Sequence, residues 1–364
     1  MLIRVILGEN NNIIQTVKFE FLIKISFIMI RILNKIKILF ITFFILFFSG
    51  CGLIFIGAEN VSETIFSSPQ KVKSNIMDPI RSDVKLSALW IGHSSVLLQI
   101  YDKVILLDPV FNNVISGVMT RKKTAAFNLN NFPRLDMILI SHAHMDHLSI
   151  STLADLEEKY SNAKLVFPKG AEEFMPDYDF EFIRLNTGNS SKKNYIGESR
   201  LIDSVKVTAV YALHFGGRFG LDSYLWQMPG CTGYIIEYKD VTVFYGGDTA
   251  YDEKAFKKIG EKFKIDLALI PIGPCKDCEE LTNFNHVTSY GALLMFNDLK
   301  AEYMIPVHYG ALSYRRDPDY PMLVLKELIE ETDNTSSLAG NNYKYSERIK
   351  ILSEGDQYVF EYID

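Results

Sequence analysis

Four side chains able to bind a metal fall within six residues: His142, His144, Asp146 and His147, in the run Ser141-His142-Ala143-His144-Met145-Asp146-His147. This HxHxDH pattern directly follows the apolar stretch Met137-Ile138-Leu139-Ile140, so it belongs on a strand-to-helix loop. Neutral imidazoles two residues apart can converge on one cation, while Asp146 and His147 address a second cation beside it. The seven histidines of the chain all lie in short polar motifs at the ends of apolar runs. His214 ends Val207 to Leu213, Asp248 sits in Gly246-Gly247-Asp248-Thr249, His286 in Asn285-His286-Val287-Thr288, and His308 in Pro306-Val307-His308-Tyr309-Gly310. Each distal histidine alone reads as an ordinary half-buried side chain; together they read as a metal centre. A two-metal hydrolase needs three ligands per ion, a carboxylate between them and a water activated by both. On that template His142, His144 and His214 hold one ion. Asp146, His147 and His308 hold the other, and Asp248 bridges. Mixed imidazole and carboxylate donors suit zinc, manganese or iron.

These residues need a scaffold, and the pattern from Val84 onward supplies one. Short runs rich in Val, Ile, Leu and Tyr read as strands over 88–91, 95–100, 104–107, 137–140, 165–167, 205–210, 233–238, 241–245, 267–270 and 303–306. Helical spacing appears over 151–160, 251–263, 289–299 and 321–331, with Ser149 or Ser151 and Thr288 or Ser289 as N-caps. Strands arrive in groups with helices between them. That predicts an α+β four-layer αβ/βα sandwich, two sheets face to face with helices outside.

At 364 residues, with 48% hydrophobic and 23% charged residues, the chain is globular. A net charge of -6 and lysines spread singly speak against a nucleic-acid partner. The N-terminus differs. Residues 38–58 carry no charge and follow Arg31, Lys35 and Lys37. The stretch is long enough to span a bilayer with its N-terminus inside. It also reads as a lipoprotein signal, with the basic residues first, an apolar segment from Ile38 to Phe48, and Ser49-Gly50-Cys51 as the site where Cys51 is lipidated. Phe48 departs from the usual Leu of such a site. A buried helix is the third reading. Met29 is a natural start for the signal. The domains expected are therefore a signal or anchor over 1–58, a polar tether over 59–83, and a hydrolase domain over 84–364. Both membrane readings make the protein membrane-anchored and extracytoplasmic.

The motifs in order resemble the metallo-β-lactamase-fold hydrolases, in particular the branch of N-acylphosphatidylethanolamine-hydrolysing phospholipases D and their lactonase-like relatives. The resemblance rests on Trp90-Ile91-Gly92-His93-Ser94-Ser95, Leu107-Asp108-Pro109-Val110-Phe111, the HxHxDH loop, Leu213-His214-Phe215-Gly216-Gly217-Arg218, Gly247-Asp248-Thr249, His286, and His308-Tyr309-Gly310, over about residues 86–325. It implies a metal-dependent hydrolase with two divalent ions, zinc being the family's commonest. Asp146, Asp248 and His286 are then the catalytic residues, with His286 at the mouth of the site, where it contacts a phosphate or protonates a leaving group. Asp108 either orients the HxHxDH loop or simply turns the chain before Pro109. His93 reads as a structural residue of its Gly-containing turn. Two departures flank the mouth: Leu185 to Ser190 replaces a Trp-rich acidic segment, and Val287-Thr288-Ser289-Tyr290 follows His286.

The expected substrate is a phospholipid, with a soluble phosphoester or phosphorylated lactone as rival. A non-catalytic ligand-binding lipoprotein is the reading from another class. A lipid enzyme calls for an apolar groove, with Phe111, Phe127, Phe215, Phe219, Leu221, Tyr224 and Trp226 as walls. A soluble-substrate enzyme calls for cations near the metals, such as Arg218. Cys231 reads as a small buried residue. Cys275 and Cys278 form a CxxC, which can be redox-active, bind a metal or close a local disulfide; outside the membrane a disulfide that stiffens the loop presenting His286 is the expectation, and in a reducing compartment both are free thiols.

Overall fold

In a computed structural model the described residues are 33–37 and 68–360, except 73–75, 77, 116–118, 127, 130–131, 219–229, 282–284, 313–316 and 339–343, and excluding the side chains of 336–338. The apolar run 38–58, Cys51, and the groove candidates Phe127, Phe219, Leu221, Tyr224 and Trp226 lie outside them. Among the described residues no helix is long and apolar enough to cross a membrane.

Two sheets carry the domain. The first contains β1 (Leu86–Gly92), β2 (Ser95–Ile100), β3 (Lys103–Leu107), then, after the short pair β4 (Val114–Ile115) and β5 (Met119–Thr120), β6 (Met137–Leu139), β7 (Lys164–Pro168) and β8 (Glu181–Leu185). Its edge is closed by the last strand, β15 (Gln357–Phe360), giving the order β15-β1-β2-β3-β6-β7-β8. The second sheet holds β9 (Ile196–Ile202), β10 (Val205–Val210), β11 (Gly233–Tyr238), β12 (Val241–Tyr245), β13 (Leu267–Pro271) and β14 (Tyr303–Val307) in the order β14-β13-β12-β11-β10-β9.

Alternation along β1 shows how the layers arise. Leu86, Ala88 and Trp90 join the large apolar cluster shared with the second sheet, while Leu89 and Ile91 join a cluster with Leu153 and Leu156 on the other face. The latter two belong to α1 (Ile150–Tyr160), capped by Ser149, whose Oγ accepts from Thr152 N at 3.2 Å. Phe256 and Ile259 of α2 (Glu253–Lys262) and Phe296 and Leu299 of α3 (Ser289–Leu299) pack on the second sheet. Thr288 caps α3 and Asp252 caps α2. Helix α4 runs Tyr320–Leu338, 19 residues where the expected helix over 321–331 is much shorter, and α5 (Tyr345–Arg348) follows.

The segment expected as a tether is partly docked. Arg81 N–H donates to Gln99 Oε1 at 3.0 Å, Gln357 donates to Pro79 O at 2.6 Å, and Ile76 and Ile80 pack under the first sheet. Its described residues are thus attached to the domain rather than free, and the folded unit begins before Val84.

Strand direction puts the chemistry at one end. In the first sheet β2 is antiparallel to both β1 and β3, and β3 is parallel to β6, so β1, β3 and β6 point the same way. In the second, β11 reverses between β10 and β12, and β12, β13 and β14 are parallel. His93, Asp108, His142, His214, Asp248 and His308 all follow the C-terminal ends of these strands.

Candidate metal centre

Each loop delivers one part. His142, His144, Asp146 and His147 come from the β6–α1 loop, His214 from the turn after β10, Asp248 after β12, His286 from the loop into α3 and His308 after β14. The expected residues converge. His142 Nε2 and His214 Nε2 lie 2.8 and 3.2 Å from His144 Nδ1. In the second set His147 Nε2 and His308 Nε2 are 3.2 Å apart, and Asp146 Oδ2 lies 3.9 and 3.6 Å from them. Asp248 stands between the sets. Its Oδ2 is 3.9 Å from His142, 3.8 Å from His214 and 3.2 Å from His147, and its Oδ1 is 3.0 Å from His308. His286 is partly exposed, with Nδ1 3.5 Å from Asp248 Oδ2.

Metal ions fit these residues. Ring nitrogens facing one another at such distances have lone pairs in common cause, which a cation resolves. His286 Nδ1 is buried without a hydrogen bond, a costly arrangement unless something else engages it. Most rings are also held from behind, as metal-binding histidines are. His214 Nδ1 meets Asn285 O at 2.6 Å, and His308 Nδ1 meets Gly273 O at 2.8 Å. His142 Nδ1 meets Ser141 Oγ at 2.9 Å, and His147 Nδ1 meets Asp108 Oδ2 at 2.6 Å. These contacts put a proton on Nδ1 and leave Nε2 for the cation. His144 differs: its Nδ1 faces the cluster, and its ring leans on Phe215 at 4.7 Å.

Charge in the metal-free site follows from burial and from neighbours. Burial opposes ionisation of both carboxylates, yet the surrounding rings prevail. His147, His308 and His93 hold Asp146 well below the usual carboxylate range, and His147, His308 and His286 do the same for Asp248. Burial likewise opposes charge on His147 and His308. Asp248, Asp108 and Asp146 nonetheless raise His147 well above its ordinary value, and Asp248 with Asp146 raises His308 to about 9. At the other rings burial wins: His142 is pushed well below its ordinary value, His214 down to about 4 and His286 to about 3. Two imidazolium rings thus balance the carboxylates where cations would otherwise do so.

Asp108 orients the loop; turning the chain before Pro109 is the lesser part of its role. It is fully buried, with φ at 39°. Oδ1 accepts from Ser141 N at 2.6 Å, and Oδ2 accepts from Ser141 Oγ at 2.5 Å, His147 Nδ1 at 2.6 Å and Tyr245 OH at 2.6 Å. Tyr245 and Ser141 are the residues that sequence reasoning missed. Tyr245 is the inward residue three before Asp248 at the end of its strand, a position whose polar tip needs a partner. Gly247 lets the two loops meet: with φ at +55°, a Cβ there would lie 2.5 Å from Ser141 Cβ. Arg218 donates to Ala143 O and Leu148 O, both at 3.1 Å, so it braces the HxHxDH loop. Phe111 packs on the α1 side of the first sheet, and Phe215 flanks the site. Cys275 and Cys278 form a disulfide, and Cys231 is buried and free.

Over residues 103–309, more than half of the chain, the sequence matches the family described as a beta-lactamase superfamily domain. An N-acyl-phosphatidylethanolamine-hydrolyzing phospholipase D of Caenorhabditis elegans is 25% identical over 284 residues, covering 75% of each chain. A metal-dependent hydrolase of Sulfolobus acidocaldarius is 30% identical over 224 residues, 61% of this chain and 83% of its own. Several other curated relatives are longer, and the chain spans 61% of their length. Among solved structures a metallo hydrolase of Ignicoccus hospitalis superposes with a TM-score of 0.51 at 19% identity, over 76% of this chain and 99% of that one, a likeness of fold. The protein belongs to the beta-lactamase superfamily and is a hydrolase of the metallo-β-lactamase fold.

Proposed function

We propose that the protein is a membrane-tethered phosphodiesterase of phospholipase D type, acting with two divalent cations, zinc foremost, on N-acylphosphatidylethanolamine-like lipids outside the cytoplasm. The observation that carries this reading is Asp248, which lies within 3.0–3.9 Å of donors in both sets and so suits a carboxylate shared by two ions. Bound divalent ions supply a nucleophilic hydroxide at neutral pH and Lewis acidity for a phosphoryl oxygen. The chain's own residues do the rest. His142, His144 and His214 hold one ion, Asp146, His147 and His308 the other. His286, partly exposed above Asp248, meets the phosphate or the leaving oxygen.

Three observations support the lipid side. The relative from Caenorhabditis elegans carries the phospholipase D name at 75% coverage. Arg218 Nη1 donates to backbone carbonyls of the loop, a bracing role rather than that of a substrate-binding cation. Leu213 and Tyr290, neighbours in sequence of His214 and of the His286 loop, are 37% and 38% exposed. The disulfide Cys275–Cys278 fits an oxidising compartment, as expected of a domain held outside by residues 1–58.

The test is hydrolysis of N-acylphosphatidylethanolamine in mixed micelles by the wild type and by Asp146→Asn, with metal content measured on both. The wild type alone should release phosphatidic acid and should hold about two ions per chain, the number a shared-carboxylate site takes. Two ions without lipid turnover would move the substrate to a soluble phosphoester or lactone. A wild type that takes up no metal would overturn the reading.

A further inference from the structure

We propose that His93 is a positioning residue of the second cation set: its Nε2–H donates to Asp146 Oδ2 and so holds that carboxylate in the orientation a divalent cation requires. The inference rests on the metal-centre reading above and adds a residue to it.

The geometry is specific. His93 Nε2 lies 2.9 Å from Asp146 Oδ2, the length of a hydrogen bond to a charged acceptor. The donors of the second set stand further apart, at 3.2, 3.6 and 3.9 Å. The oxygen that His93 touches is the same one that faces His147 and His308. Asp146 needs such a hold more than its partners do. Its side chain is 12% exposed, against 1% for Asp248.

The proton's place follows from what surrounds the ring. His93 Nδ1 is buried with no hydrogen-bond partner. A proton there would be a buried donor without an acceptor, at a cost of about 1–3 kcal/mol, whereas a proton on Nε2 meets a carboxylate. The ring also lines a cavity of about 20 Å3 with Pro274, His308 and Leu312.

The turn exists to aim the ring. Gly92 and His93 both have positive φ, 121° and 57°. The His93 carbonyl accepts from Trp90 Nε1 at 2.8 Å and from His308 N at 3.0 Å. One turn therefore fixes the backbone of a second-set donor, His308, and presents the ring that fixes another, Asp146.

Four proteins test this: wild type, His93→Gln, His93→Asn and His93→Phe, each loaded with zinc and titrated with a competing chelator, with zinc counted per chain. A Gln amide nitrogen reaches the place of imidazole Nε2, while an Asn amide nitrogen falls near Nδ1. Asn, however, tolerates the left-handed backbone better than Gln. If the donor matters, Gln keeps the second ion, and Asn and Phe lose affinity for it by about 10–100-fold, the range for partners behind metal ligands; the first ion stays within about threefold. Asn matching or exceeding Gln, or both ions weakening equally, would overturn the proposal in favour of backbone shape. In the wild type, 1H–15N spectra of the rings should show His93 protonated on Nε2 and bare on Nδ1, with and without zinc. Loss of that proton on zinc binding would make His93 a ligand and refute the positioning role, whatever the folding of the variants. A wild type that takes up no zinc would overturn the metal reading and this one together, whereas uptake without the variant pattern overturns this one alone.

Discussion

Asp108→Asn removes one charge and almost nothing else, which makes it the sharpest probe of how the loop is held. Asn is among the few residues at ease with a positive φ, so the backbone at 39° is no obstacle. Four donors converge on the carboxylate: three on Oδ2 and the Ser141 N–H on Oδ1. An Asn amide offers one oxygen. With that oxygen in the place of Oδ2, three donors keep a neutral acceptor and the Ser141 N–H faces an NH2. A buried unsatisfied donor costs about 1–3 kcal/mol. Replacing a charged acceptor by a neutral one costs about 1 kcal/mol for each of the three remaining bonds, the difference between the two kinds of hydrogen bond. The metal-free domain should therefore lose about 4–6 kcal/mol at most, and less where the loop relaxes. His147 also loses the partner that fixes its tautomer, so the second ion should weaken by about 10–100-fold. Urea unfolding of the metal-free protein and zinc competition read the two effects separately. A variant within about 1 kcal/mol of wild type and within about threefold in zinc affinity would refute the argument that Asp108 organises the loop.

Zinc uptake at pH 7 should release protons, because His147 and His308 carry them in the metal-free protein and a ligand must be neutral; calorimetry in buffers of different ionisation enthalpy reads this, and no buffer dependence would contradict it. The same shifts set a stability trend without metal. His308 is raised to about 9, so its contribution is complete below the ordinary histidine value near 6.5 and is lost as pH rises toward 9; a metal-free protein equally stable at pH 6 and pH 9.5 would contradict it. Gly247→Ala should abolish metal uptake and lower stability by more than about 1–3 kcal/mol, since the new methyl would sit 2.5 Å from Ser141 Cβ; a wild-type melting temperature would refute it. Phe215→Ala should weaken the first ion more than the second, because His144 is set by that ring rather than by a hydrogen bond at Nε2, and an equal loss of zinc affinity at both positions relative to wild type would refute it.

The side chains that converge were legible because metal chemistry leaves few substitutes for them: imidazole and carboxylate at strand ends, in spacings that few other demands produce. The long apolar strands were legible for a related reason, since β12 and β13 are buried along nearly all their length. What escaped lay at edges. Strands β8, β9 and β15 border their sheets and expose alternate or consecutive residues, so Glu181, Arg200 and Tyr358 hide them among loops. Helix α4 continues past Glu331 through Asp333, whose carboxylate accepts from Tyr345 N and Ser346 N, a long-range contact with no local signature. Tyr245 escaped because a tyrosine at a strand end usually means packing; only the fold brings it to Asp108.

The arrangement also says why the centre belongs at this end of the sandwich. His142, His144, Asp146 and His147 leave the first sheet, while His214, Asp248 and His308 leave the second. Either ion would therefore tie a loop of one sheet to loops of the other. Asp248, touching donors of both sets, makes the tie common. Behind it Tyr245 of the second sheet donates to Asp108 of the first, and Tyr234 of the second donates to the Ile140 carbonyl of the first at 2.7 Å. The protein thus builds across the same gap, from hydrogen bonds alone, the registration that a metal pair would complete. A site assembled this way gains its affinity from a scaffold already in place rather than from loops that must order on binding. That is the property expected of an enzyme that keeps its metals through turnover, and it sets the donors before any cation arrives.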